Sequence, residues 1–547
     1  MAPGGRQQHE SETPEYDYVI VGAGTAGCVL AFRLTEHDDV KVLLLEAGGW
    51  ASNWRFDMPM AWPTLLSEKN ALWHYRDPDA ASPKQQLVGG QVVGGSSSVN
   101  AMSYVRGHRA DFDRWAQSGL PGMSYDAVLP YFRRLESWQG ADGPYRGKNG
   151  PVPVLHSQLA DSALTALMQA ADAQGASTYI DYNGPEQSGF GVTQLTVANG
   201  RRASAATSYL APALAKGGVQ LAAGAIATRV VLENGAAVGV QYRQAGEMRT
   251  ARAAREVIVA AGAVQSPQLL MLSGIGDPTV LRSLDIVVEA AAPGIGQNLR
   301  NHVSVGLTYA RRHPGPIHRG LRLDRLASAA VQWFAGGHGF LATPPNAAMG
   351  FIETPGSRGV PDIQVLFFAT TPQARMYWPL LQRPYTDGFM LSAVLLRPES
   401  SGSIKLNSTN PADPPLVSQN LLTTQRDREA LAHGIRRIDA LVHEKALESI
   451  SAGPFGRHPD NLSQSDLDAF ISAEAMPMFH LSGTCRMGRD GDRMAVVDTE
   501  FRVYGVGRLR VVDASVMPDL IGGNPFACVA MLAEKASDYI RASDGPS

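Results

Sequence analysis

Three glycines, a glutamate and a histidine are the residues whose types and spacing first suggest chemistry. Gly22, Gly24 and Gly27 form G-x-G-x-x-G directly after the apolar run Tyr18-Val19-Ile20-Val21. Gly22 permits a sharp turn, Gly24 lets backbone approach a pyrophosphate, and Gly27 lets a helix pack tightly on the strand. The start of that helix offers unpaired N–H groups and the positive end of its dipole to phosphates. Glu46 closes a second apolar run 24 residues after Gly22, where a carboxylate can accept a ribose hydroxyl. The implied chemistry is dinucleotide binding. A carboxylate at that place repels a 2′-phosphate and disfavours NADP, while FAD and NAD both stay open. The competing reading is a buried strand–helix–strand unit whose glycines serve packing alone.

His480 stands in MPMFHLSGTCRMG (476–488). An imidazole has an unperturbed pKa of about 6.5 and suits proton acceptance near neutral pH. On local sequence alone, a histidine between apolar residues reads first as structural. His74, His108 and His302 read the same way. Cys485 shares the stretch with His480, and a structural role is the simpler reading for it, as for Cys28. Three cysteines in 547 residues argue against a disulfide framework. No group of histidines, cysteines and carboxylates has metal-ligand spacing. The G-x-S-x-G of a hydrolase nucleophile is absent.

These residues need a large scaffold. The 547 residues suffice for two or three domains, and 44% hydrophobic with 18% charged is ordinary for a globular chain. The net charge of −3 gives no electrostatic case for nucleic acid or an anionic membrane. No run of 18 apolar residues appears, so no membrane span is expected. Residues 1–15 are polar and read as a disordered tail rather than a secretory signal, which makes a cytoplasmic location the expectation. Helices are expected at 111–115, 125–137, 160–173, 204–214 and 426–447. Strands are expected at 219–231, 237–242 and 256–262, the last followed by a helix. Between 87 and 107, glycines and serines interleave with Val, Met and Tyr, as in a stretch that lines a flat cofactor with backbone. From 310 to 475, paired prolines and strand-like runs at 363–368 and 389–396 suggest a second domain on an antiparallel sheet.

Taken in order, several blocks resemble the glucose–methanol–choline (GMC) family of FAD-dependent oxidoreductases. They are GAGTAG with Glu46, VVGGSSSVNAMSYVRGHRADFDRW (92–115), GAVQSPQLLMLSGIG (262–276), PGIGQNLRNH (293–302), HLSGTCRMG (480–488), and RVVDASVMP with GGNP (510–525). The resemblance runs from about 16 to 540 and implies FAD rather than NAD. It also implies a discontinuous α/β Rossmann-like FAD-binding domain and an α+β substrate-binding cap built on an antiparallel sheet. The expected division gives 16–155, 200–309 and 476–547 to the FAD domain, and 156–199 and 310–475 to the cap.

Carried over by position, Gly22, Gly24 and Gly27 would hold the pyrophosphate and Glu46 the adenosine ribose. Gly94, Gly95, Asn100 and Ala101 would flank the pyrophosphate and flavin, and Thr25, Ala26, Ala47, Trp73, Val93, Ser98 and Met102 would also bind the cofactor. Ala227 would meet the adenine, and Ala261 with Gly262 would pack backbone near the cofactor. Asp513, Ala514, Asn524, Pro525 and Phe526 would close over the flavin. Some family members bond the flavin covalently through a histidine in the Gly/Ser block; Val99 stands there, so non-covalent FAD is implied.

The resemblance also makes His480 the base that takes the hydroxyl proton of an alcohol, and Asn524 the amide that holds the developing alkoxide while hydride passes to flavin N5. The implied activity is oxidation of a small-molecule alcohol, expected to be primary and apolar or aromatic, with O2 or a quinone- or dye-type acceptor. A flavin-containing lyase resembling hydroxynitrile lyase is the alternative. Trp333, Phe334, Phe340, Phe367, Phe368, Tyr377 and Trp378 are candidate pocket aromatics, equally readable as core. Glu353 is the one cap acid nominated to face a cationic substrate. Oligomeric state stays open.

Overall fold

The computed structural model describes residues 15–36, 39–79, 83–379 and 381–543. The expected tail lies outside the described residues except for Glu15, which opens the first strand. Glu15–Val21, Thr25–Leu34 and Val42–Glu46 form the strand, helix and strand read from the sequence. The strands pair in parallel, Tyr18 opposite Val42 and Val21 opposite Leu45. Their apolar residues from Tyr18 to Val21 and Val42 to Leu45 are all buried, as in a parallel sheet covered on both faces.

Val219–Ala223 extends the sheet beyond Val42–Glu46, and Glu247–Val259 flanks the first strand on its other side. The early part of Glu247–Val259 pairs antiparallel with Ala236–Gln244, which pairs with Ala225–Glu233. Its last residues, Val257 to Val259, pair in parallel with Leu509–Val511. A strand near the end of the chain therefore completes a sheet begun at its start. The helix Phe526–Ser543 packs beside Thr25–Leu34, tied to it by Arg33 donating twice to Glu534 at 2.8 and 2.9 Å. Each large aliphatic side chain buried here contributes roughly 1.5–3 kcal/mol relative to exposure.

The second large sheet is antiparallel throughout. Its order is Ser451–Pro454, Val303–Arg311, Gly388–Leu395, Ile363–Phe368, Asn346–Ile352 and Gly189–Val192, with Met476–Pro477 pairing onto the start of Val303–Arg311. The expected division at 309/310 falls inside the strand Val303–Arg311, which joins this sheet along its whole length. Helix Gln425–His443 covers one face through Leu431, Ile435, Ile438 and Leu441. The row follows the i, i+4, i+7 spacing of one helix side. Part of the opposite face is left to wall a cavity.

Candidate active site

A cavity of about 540 Å³ runs between the parallel sheet and the open face of the antiparallel one. Its first wall is made of turns. Gly22 (φ +101°) needs its left-handed backbone, and a Cβ there would lie 2.5 Å from the Ala260 carbonyl oxygen. A Cβ on Gly27 would lie 1.8 Å from the Gly22 oxygen, so helix and turn could not close. Gly24 differs: a Cβ would meet nothing nearer than 4.0 Å, and the residue borders the cavity. Two glycines are thus demanded by the fold, and the middle one leaves open space where a pyrophosphate would lie.

Thr25, Ala26, Glu46, Ala47, Trp73, Gly95, Asn100, Ala101, Ala227, Ala261 and Gly262 also line the cavity, as do Asp513, Ala514, Asn524, Pro525, Phe526 and His480. Gly27, Val93, Gly94, Ser98 and Met102 do not line it. They build the wall from behind. Gly94 N–H donates to Ala23 O (2.7 Å), Ser98 Oγ donates to Val93 O (2.8 Å), and Met102 is buried in a left-handed conformation (φ 59°). The glycine-serine block is held partly by Arg202, which donates to Asn100 O at 2.7 Å and Asn100 Oδ1 at 2.8 Å. Burial pushes Arg202 down to about 9. Sequence reasoning missed Arg202; nothing near Arg201-Arg202 marks which arginine turns inward.

Glu46 does more than wait for a ribose. Oε2 accepts from Ala23 N–H at 2.9 Å and Oε1 from Gly48 N–H at 2.8 Å. Burial still raises its pKa to about 7, against the lowering by those two amides. Asp513 joins distant segments: Oδ2 accepts from Gly262 N–H (2.8 Å) and Ser266 Oγ (2.6 Å), and Oδ1 from Ser515 N–H (2.7 Å).

His480 sits at the meeting of the two walls. Its backbone N–H donates to Asn301 Oδ1 at 2.8 Å, and the preceding Phe479 is left-handed (φ 60°), a conformation costly for a non-glycine residue. His302, read as structural from sequence, contacts it directly. His302 Nε2 lies 3.1 Å from Leu396 O and 3.0 Å from Ile521 O, both acceptors only, so Nε2 carries the proton. Burial lowers the His302 pKa to about 4, so the ring is neutral near pH 7 and its Nδ1 is bare. His480 Nδ1, 2.8 Å away, must then donate to it. Burial first, and His302 second, hold the His480 pKa well below 6.5, so this ring is neutral too. Its Nε2 lone pair is left facing Asn524 Nδ2 at 3.2 Å. Two backbone carbonyls thus fix the tautomer of a histidine they never touch. Asn524 Oδ1 is buried with no partner, an acceptor awaiting a donor at the cavity.

The far wall is one face of the antiparallel sheet. Ser304 and Gly306, Met390 and Ser392, and Leu366 and Phe368 are i, i+2 pairs on three adjacent strands, joined by Asn346. Met478, Phe479 and Trp62 also border the cavity. Of the seven candidate aromatics only Phe368 lines it. Phe367 lies in the cap core, Trp333 is buried and donates to Gly200 O (2.8 Å), and Phe334 and Trp378 are exposed. Glu353 lies elsewhere, beside a surface hollow with His433 and Arg437. Cys485 is buried, and burial pushes its thiol well up, which removes it from thiolate chemistry. Among the described residues no metal-ligating cluster and no helix long and apolar enough to cross a membrane occur.

The open space at Gly24, the carboxylate at Glu46 and the unpartnered Asn524 Oδ1 fit an FAD lying along this cavity. Comparison with known proteins agrees. The GMC oxidoreductase family models match residues 16–304 and 398–533. The chain is 38% identical to mitochondrial choline dehydrogenase of Mus musculus over 96% of this chain and 89% of the relative. It is 37% identical to the oxygen-dependent choline dehydrogenase of Vibrio vulnificus over 98% and 94%. Pyridoxine 4-oxidase from Mesorbium loti superposes with a TM-score of 0.85 at 27% identity, covering 97% of this chain and all of that one. A fungal aryl-alcohol oxidase shares the fold at a TM-score of 0.82 and 21% identity, with 97% and 99% coverage.

Proposed function

Because the chain belongs to the GMC oxidoreductase family, we propose that it is an FAD-dependent alcohol oxidoreductase whose base is His480 and whose alkoxide-holding amide is Asn524. The observation that carries this reading is the hydrogen-bond chain from Leu396 O and Ile521 O through His302 to His480, which leaves Nε2 an acceptor inside the cavity. An alcohol O–H takes the place of the Asn524 amide on that lone pair, and the amide then donates to the alcohol oxygen. As the proton passes to Nε2, negative charge on the oxygen is met by an N–H already in place. FAD held by the Gly22–Glu46 turn and the 94–101 block would supply hydride acceptance at flavin N5, with O2 or another acceptor such as a quinone or dye as the final oxidant.

The substrate in this reading is a neutral primary alcohol with an apolar or aromatic body. The sheet face offers Leu366, Phe368 and Met390 with two serine hydroxyls, and none of its lining residues is acidic. Choline is the second reading, favoured by the names of the relatives and by aromatic rings at Trp62, Phe368 and Phe479 that can face a quaternary ammonium. The relatives described are oxidoreductases, and they lend nothing to the lyase alternative. Non-covalent FAD is supported by Val99 at the cavity wall, and acid precipitation should leave the yellow colour in the supernatant. A part for Met478 in oxygen access is supported by its place at the cavity two residues before His480; Met478→Val should change oxygen reactivity without changing flavin reduction. A cytoplasmic location and the discontinuous two-domain division complete the reading, with the cap sheet taking the chain from 303.

The deciding experiment is anaerobic mixing of the holoenzyme with benzyl alcohol, a linear alkanol and choline. Bleaching of the flavin by one of them is the expected result. Full retention of flavin absorbance with every alcohol, alongside turnover of a cyanohydrin, would replace oxidation with lyase chemistry.

A further inference from the structure

Helix Leu323–Gly336 is apolar on two sides. Leu326, Ala329, Ala330 and Trp333 face inward, packed against Met58, Ala61 and Leu341. On the other side Leu323, Ala327, Val331 and Phe334 follow the i, i+4, i+8, i+11 spacing of a single stripe, and all four are exposed. Val331 keeps 69% of its surface in solvent and Phe334 56%. A helix apolar on both sides is ordinarily covered on both.

The stripe is not alone. Trp54, itself half exposed, meets Phe334 edge to face at 6.2 Å. At the other end of the helix, Tyr377 N–H donates to Leu321 O (3.2 Å) and Leu323 N–H donates to Tyr377 O (3.1 Å), which fixes the segment around Tyr377 alongside. Met376, Trp378 and Leu381 of that segment are exposed, Leu381 at 82%. Beside Trp54 the charges are mixed, Arg55 with Glu68 and Arg201 with Asp57, but along the helix and the 371–386 segment they are one-sided. Residues 312–343 and 371–386 hold six arginines and one carboxylate, in a chain whose net charge is −3. The carboxylate, Asp324, is paired with Arg322 at 2.7 Å. Arg319, Arg325, Arg375 and Arg383 are exposed.

We infer that this face docks on an anionic lipid bilayer, the apolar stripe with Trp54, Met376, Trp378 and Leu381 entering the interface and the arginines meeting lipid phosphates. Tryptophan, phenylalanine and leucine beside arginine suit the boundary between head groups and acyl chains, where a helix lies in the plane of the surface. A second copy of this chain would bring the same positive patch against itself, which opposes self-association. The same helix packs through its inner side on Met58 and Ala61, and the next residue, Trp62, borders the catalytic cavity. Docking therefore places a cavity wall beside the lipid. The inference stands whichever alcohol is the substrate.

Vesicle pelleting tests it with the full-length holoenzyme. Vesicles of phosphatidylglycerol and phosphatidylcholine should pellet the protein at low salt, high salt should release it, and pure phosphatidylcholine should hold it far less. The pair Val331→Asp and Phe334→Asp should cut binding about tenfold or more, since charge on the inserting stripe opposes entry. Arg375→Glu and Arg383→Glu should each weaken binding to the anionic vesicles by at least about fivefold. All variants should keep flavin content and alcohol oxidation with a soluble dye, which shows that they fold. The inference fails if the wild-type holoenzyme does not pellet at low salt, or if Val331→Asp/Phe334→Asp pellets equally. It also fails if these substitutions only break a dimer that binds no vesicle.

Discussion

The two walls of the cavity are built by different means. The wall proposed for the cofactor is backbone: Gly22, Gly24, Gly95, Gly262 and small neighbours, in turns where a side chain would collide or fill the space. The wall proposed for the substrate is side chain: alternate residues of antiparallel strands, with Leu366, Phe368, Met390 and Ser392 facing in. A backbone wall demands particular residues at fixed spacing. A side-chain wall demands only an alternating pattern, so its residues can change the substrate without disturbing the fold. The histidine pair stands where the walls meet and takes its order from both, with Leu396 after the cap sheet and Ile521 before the last helix.

The sharpest break in this comparison is expected on the backbone wall. Gly27→Val should abolish folded, flavin-loaded protein, because its Cβ would lie 1.8 Å from Gly22 O. Gly24→Ala should fold normally and only weaken FAD retention, since its Cβ meets nothing nearer than 4.0 Å. Flavin absorbance per protein and thermal unfolding distinguish the two, and equal loss in both would show that Gly24 is also a packing residue.

At the junction, His480→Ala should slow flavin reduction by substrate roughly 10²–10⁴-fold while FAD stays bound. Fast anaerobic bleaching in that variant would remove His480 from the mechanism. On the substrate wall a smaller change is expected. Phe368→Ala should lower kcat/KM for an apolar alcohol by roughly 10–200-fold with flavin content unchanged. Loss of flavin from Phe368→Ala would mean that the walls are not separable.

The pH behaviour gives the smallest effect. Both histidines have folded pKa values below the unfolded value of about 6.5. The unfolded chain therefore binds more protons between those values, and stability falls as pH drops below about 6.5 toward 4. Above that window His480 is already neutral, so flavin reduction should show no acid limb from this residue between about pH 6.5 and 8. Stopped-flow reduction across pH checks this, and a limb near 7 that disappears in His480→Gln would contradict it.

Much of the cofactor wall was legible because its physics is local. A turn that needs Gly22 and a helix that needs Gly27 write themselves into consecutive positions, and the strands and helices around them follow their periodicities. The substrate wall was less legible. Seven aromatics were candidates and only Phe368 faces the cavity: alternation along Ile363–Phe368 says that Phe367 and Phe368 point opposite ways without saying which way is in, and the other five lie on a helix, a turn and a loop away from the sheet. The outward face of Leu323–Gly336 was hidden for a different reason: a net charge of −3 averages away a local cluster of arginines.

The sequence by itself determined a dinucleotide-binding βαβ unit, the family, and His480 with Asn524 as a pair worth bringing together. Only the tertiary structure decided which nitrogen of His480 is bare. That choice rests on His302, 178 positions away in the chain, and on two carbonyls from further segments. A proton's place on a ring is set by what its neighbours accept, and those neighbours exist only once the chain has folded.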